Sequence, residues 1–83
     1  MPKSLIDRNM FSNLNLCQWN TVLEIANLSQ KEKKIANLYF IEKKFQIEIA
    51  IEMGYYSRKP IYRKLPKIAM VINRTLDEYL RAE

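Results

Sequence analysis

Arg58, Lys59, Arg63, Lys64 and Lys67 stand inside residues 57–67 with no Asp or Glu among them. Guanidinium and ammonium groups at this density create a local positive field, and phosphate is the commonest biological ligand for one. The chain as a whole has 14 Lys+Arg against 9 Asp+Glu, a net +5. The segment therefore carries the entire excess. Elsewhere the bases sit beside acids, as in Lys31-Glu32-Lys33-Lys34, the pattern of a solvated helix face. An arginine can also fork onto a guanine edge, so base reading by Arg58 is within its chemistry.

Other chemistries find no residues. There is no His and one Cys, Cys17, which argues against His-bearing zinc sites, Cys–His nucleophiles and disulfide scaffolds. Cys17 is expected as a small semi-buried core thiol. Glu48 and Glu52 at i, i+4 imitate half a metal site, but two carboxylates on one helix are usually just exposed. One Gly cannot build a phosphate-cradling loop. No catalytic set emerges, so the expectation is a non-enzyme with no cofactor and no metal.

The elements that must hold the basic segment are helical. With 83 residues, 48% hydrophobic, one Gly and three Pro, the chain has room for one core and few tight turns. The expected fold is all-α: a compact bundle of four to five short helices containing a helix-turn-helix. Residues 1–11 are expected as a flexible N-terminal arm and 12–83 as the single domain. Leu16, Trp19, Val22, Leu23, Ile25 and Ala26 place a helix over 13–28, with Ser12 as its cap. Ser29 and Glu32 form a capping box for a second helix to about Glu42, with Ile35, Leu38, Tyr39 and Ile41 or Glu42 inward. A third covers 46–53 on Ile47, Ile49, Ala50 and Met53, with Ile51 extending the apolar arc. Gly54 closes it in the left-handed conformation. Ser57 caps a fourth helix to Leu65, burying Ile61 and Leu65. Pro60 is tolerable in its first turn. Pro66 would cost a continuing helix about 3 kcal/mol, so a break is expected there. A fifth helix then carries Ile68, Val71, Ile72, Thr75, Leu76, Tyr79 and Leu80 as a core or dimer stripe. Trp19 and Phe40 belong to the core, and at least one of Tyr55 and Tyr56 covers it.

A short helix, a glycine turn and a short basic helix make the pattern of a helix-turn-helix. Leu28-Ser29-Gln30-Lys31-Glu32, then Glu48-Ile49-Ala50 with Gly54 four residues on, then Ser57-Arg58-Lys59-Pro60-Ile61-Tyr62-Arg63-Lys64-Leu65 resemble the sigma-factor region-four family and small phage-type sigma-like regulators. The resemblance covers roughly residues 28–68. Three features depart from it. Ile61 lies seven residues after Gly54, where the family has six. Phe45 stands where Ser or Thr is usual. Pro60 replaces a usual Thr, and Pro66 follows soon after.

The resemblance implies a sequence-specific DNA-binding transcriptional regulator whose recognition helix spans about 57–65. Its expected DNA-binding residues are Ser57, Arg58, Lys59, Tyr62, Arg63, Lys64 and Lys67. Arg58 and Lys59 fall at the helix start, where base contact is usual and where Arg58 takes either a guanine edge or a phosphate, Tyr62, Arg63 and Lys64 follow one turn later, and Lys67 reaches phosphate beyond the break. The partner is double-stranded DNA, with RNA polymerase or another host protein as a further partner and a homodimer through the C-terminal helix. The alternative is a small phage-type interaction module that binds host polymerase or blocks a host defence nuclease, anti-CRISPR-like. A third idea, a packaging subunit, needs a ring. No secretory signal and no run of ~18 apolar residues is present, so a cytoplasmic chain away from membranes is expected.

Overall fold

The computed structural model describes residues 6–81. Residues 1–5 of the expected arm lie outside the described residues, as does the side chain of Leu80. Among the described residues there are four α-helices and no strand: α1 (Leu16–Ile25), α2 (Gln30–Ala36), α3 (Gln46–Glu52) and α4 (Lys59–Arg81). A π-helical turn, Asn37–Ile41, extends α2. The all-α class expected from the sequence is what the chain adopts. No described helix is long and apolar enough to cross a membrane.

Local chemistry sets each boundary. The cap of α1 is Asn15, not Ser12: Gln18 donates its amide to Asn15 Oδ1 at 2.8 Å, and Gln18 Oε1 accepts from the Asn15 amide at 3.0 Å. This reciprocal pair outcompetes a lone hydroxyl, and it shortens the helix expected over 13–28. Ser29 and Glu32 make the expected box, with Glu32 N–H to Ser29 Oγ at 3.2 Å and Ser29 N–H to Glu32 Oε1 at 2.9 Å. Phe45 has no side-chain acceptor to offer α3. Its own amide instead donates to Glu48 Oε1 at 2.9 Å.

The core gathers Trp19, Val22, Ile35, Ile49, Ile61, Leu65, Ile68 and Ile72. Leu38, Tyr39 and Phe40 are consecutive and all buried, which one apolar helix face cannot achieve. Residues 6–11 supply the second surface. Phe11 is buried edge-on to Phe40, centroids 4.8 Å apart, and the Tyr39 hydroxyl donates to the Ile6 carbonyl. The described part of the expected arm is thus packed, because Tyr39 and Phe40 need its cover. Phe40 takes the inward place expected for Ile41 or Glu42, both of which are exposed. Trp19 is buried as expected and donates Nε1–H to Asn37 Oδ1 at 2.7 Å.

The N-terminal segment is also tied to the turn before α3. Lys43 has φ 59, a left-handed value that strains a residue with a Cβ. Its carbonyl accepts from Arg8 Nη1 at 3.0 Å, and its Nζ donates to the Arg8 carbonyl at 2.9 Å and to Ser12 Oγ at 3.0 Å. These three bonds hold the strained turn.

Pro66 does not break the chain. The fourth and fifth helices expected from the sequence are one 23-residue α4 with Pro66 inside it. Ile61, Leu65, Ile68 and Ile72 are all fully buried on one continuous stripe across the proline. At about 1.5–3 kcal/mol per buried side chain, that stripe outweighs the proline's cost of about 3 kcal/mol. A break would rotate Ile68 and Ile72 off the face that Ile61 and Leu65 use.

Some apolar residues expected inside lie outside. Ile47 and Ile51 are 47% and 70% exposed, because Ile49 and Ala50 already fill the contact of α3 with the core. Leu16, Ile25 and Cys17 are likewise exposed on α1, so the Cys17 thiol is not a core group.

Candidate nucleic-acid interface

α3 ends at Glu52 with Met53 as its C-cap, and Gly54 follows at φ +85, where a Cβ would be strained. Two hydrogen bonds close this end: Tyr55 N–H to the Ala50 carbonyl at 2.8 Å and Gly54 N–H to the Ile51 carbonyl at 3.1 Å. Together they form the Schellman arrangement. Tyr55 then turns back onto the core while Tyr56 is fully exposed.

The basic helix starts later than expected. Arg58 contributes the first accepting carbonyl, to Tyr62 N–H at 2.9 Å, and α4 begins at Lys59. Ser57 lies one position before that cap; its Oγ meets Lys59 N–H only at 3.4 Å. Pro60 occupies the first turn, where its missing N–H has no role.

Burial divides the seven residues expected to touch DNA. Ile61 and Leu65 are fully buried, so they fix the rotation of α4. At about 100° per residue, Lys59, Arg63 and Lys67 then share one outward arc. All three are exposed. Tyr62 and Lys64 are half-buried at opposite edges of that arc. The Arg58 guanidinium lies 5.9 Å from the Tyr62 ring centroid. Ser57, Arg58, Lys59 and Tyr62 line an open hollow of about 640 Å³ at the start of the helix.

An acid from another element borders this surface. Glu32 Oε2 is 3.8 Å from Lys67 Nζ. Its carboxyl is held below the usual carboxylate range, chiefly by the Ser29 amide, with the charges of Lys67 and Lys64 adding to the effect and burial opposing it. Two of the five cations therefore share an anion that the linear sequence places 32 or more residues away.

Two basic residues join that sequence reasoning did not assign to the site. Arg74 is exposed and, because α4 is unbroken, continues the row of Lys59, Arg63 and Lys67. The spacing of 11 from Arg63 was the available signal, hidden by the expected break. Arg8 stacks 4.6 Å from the Phe45 centroid and lines a hollow with Arg58. Nothing in the linear pattern connects those two positions.

Glu48 and Glu52 are both exposed on α3. No cluster of three His, Cys, Asp or Glu suited to a metal occurs among the described residues. Comparison of the chain with family models, curated proteins and solved structures gives no match.

Proposed function

We propose that the chain is a small DNA-binding regulator that sets the first turns of α4 against a duplex. One observation carries this reading: Lys59, Arg63 and Lys67 form an exposed row opposite the buried Ile61 and Leu65. A helix projecting such a row fits a major groove about 12 Å wide. In this reading Lys59 meets base edges in the groove, Arg63, Lys64 and Lys67 meet the phosphates that border it, and Ser57, Arg58 and Tyr62 meet the strand at the helix start. A homodimer through the C-terminal part of α4 would place half-sites one helical turn, about 34 Å, apart. The resemblance to sigma-like regulators supports the same reading.

Fluorescence anisotropy with labelled duplexes at about 50 and about 200 mM salt tests it. Affinity is expected to fall at least tenfold between the two, since three phosphate contacts would each contribute about threefold. Absence of binding at low-micromolar protein in the lower salt refutes the reading.

A second reading, an interaction module that docks on a host protein, has its own support. Phe45, Ile47 and Ile51 are exposed apolar side chains on and beside α3. A host protein that co-purifies after nuclease treatment, and is lost on Ile51→Asp, would favour this reading over DNA.

A further inference from the structure

Arg8 and Arg58 are fifty residues apart in sequence and line the same hollow. It lies between the N-terminal segment and the α3–α4 turn and measures about 330 Å³. Tyr39, Phe45, Gln46 and Ile47 complete its described walls, and no carboxylate is among them. Both guanidiniums are backed by aromatic rings. Arg8 is 4.6 Å from the centroid of Phe45 and 6.0 Å from that of Tyr39, and Arg58 is 5.9 Å from Tyr62. Arg8 is further fixed by its bond to the Lys43 carbonyl at 3.0 Å. A stacked guanidinium keeps its edge N–H donors for an anion. Apolar walls strengthen the attraction by thinning the water between the charges. Gln46 Oε1 is buried with no hydrogen-bond partner. Turned over, that amide offers an N–H donor instead.

We propose that this hollow is a phosphate clamp, in which Arg8 and Arg58 grip one backbone phosphate of a nucleic acid beside the start of α4. Arg58 also borders the hollow that Ser57, Lys59 and Tyr62 line, so a strand leaving the α4 surface passes the clamp next. The choice of a nucleic-acid phosphate over a free one rests on the DNA-binding reading; the clamp's affinity for phosphate does not. The clamp gives the N-terminal segment a binding role alongside its covering of Tyr39 and Phe40.

Two measurements test it. In the first, the wild-type protein is titrated with inorganic phosphate while the arginine Nε–Hε resonances are followed by NMR. Arg8 and Arg58 are expected to shift together and saturably. In the second, Arg8→Gln and the control Lys31→Gln are compared with wild type by anisotropy on duplex DNA. Arg8→Gln should lower the salt slope by about 1, and Lys31→Gln should leave it unchanged. If Arg8→Gln does not fold, Arg58→Gln takes its place. Its salt-slope loss is then paired with loss of the phosphate-induced shift at Arg8, which a simple groove contact would not produce.

Wild type that binds DNA with Arg8 silent in both measurements overturns the clamp and leaves the DNA reading standing. Phosphate shifts at Arg8 and Arg58 without DNA binding leave the clamp standing for free phosphate and overturn the DNA reading. Phosphate shifts with DNA binding but an unchanged salt slope overturn the assignment to a backbone phosphate. Silence in every arm overturns both.

Discussion

The two ends of α4 are built differently. From Lys59 to Ile72 the inward positions Ile61, Leu65, Ile68 and Ile72 are all fully buried, and the outward side carries Lys59, Arg63 and Lys67. Beyond Ile72 the inward positions Thr75, Leu76 and Tyr79 are only half-buried, and Asp77 and Arg81 pair at 3.2 Å. The proximal end has its rotation fixed by the core and a net positive charge that Glu32 offsets only beside Lys67 and Lys64. The distal end has weak anchorage and internal charge balance. Rigid presentation and excess positive charge coincide at one end of a single helix, and that end is where the proposed contact lies.

Core truncation should separate the ends most strongly. Leu65→Ala removes a fully buried side chain and is expected to cost about 2–5 kcal/mol in urea unfolding. Leu76→Ala, at a half-buried position, should cost roughly half as much or less. Equal losses would erase the distinction. Pro66→Ala comes next and joins the two ends. Alanine relieves the ring's conflict with the preceding turn and supplies an N–H, so unfolding free energy should rise by about 1–3 kcal/mol. A loss of stability instead would show that the proline's own packing, at a half-buried position, matters more than helix regularity.

How far the sequence reveals this depends on the range of the interaction that decides each feature. The Ser29–Glu32 box, the Gly54 turn and the burial of Ile61 and Leu65 follow from neighbours within a few residues, and all three are present. The fate of Pro66 was not legible locally. A rule about one hydrogen bond pointed to a break, and four buried residues spread over three turns overrode it. Packing of residues 6–11 was hidden for a similar reason. The run Leu38-Tyr39-Phe40 needed covering on two sides, but the sequence does not say which segment covers it. At the candidate site, the row from Lys59 to Lys67 is readable as i, i+4 spacing. The acid beside it and the second arginine beside Arg58 come from elements distant in the chain.

Charge substitutions should sharpen the comparison on the binding side. Arg63→Gln at the proximal end is expected to lower the salt slope of DNA binding by about 1, a loss of roughly threefold in salt sensitivity between about 50 and about 200 mM. Arg81→Gln removes the same charge from the distal end, where Asp77 already balances it, and should leave the slope within error. A uniform effect of both would point to net charge alone, and would detach binding from the row on proximal α4.

The smallest effect is the most discriminating, because stability and binding should move in opposite directions. Glu32 sits beside the proximal end, its carboxyl pulled below the ordinary range first by the Ser29 amide and then by Lys67 and Lys64. A depressed carboxyl stabilises the fold above its unfolded value of about 4.3, and that stability is lost as pH falls through the folded value. The advantage of wild type over Glu32→Gln in urea unfolding should therefore be present at neutral pH and shrink below about pH 4.3. The glutamine side chain introduced by that substitution still accepts from the Ser29 amide, so the difference stays within a few tenths of a kcal/mol to about 1. At neutral pH the same substitution releases Lys67 and Lys64 from their anion, and duplex affinity should rise while stability falls. If both fell together, Glu32 would be organising the basic surface rather than competing for it, and the positive row would depend on α2 for its shape as well as for its charge.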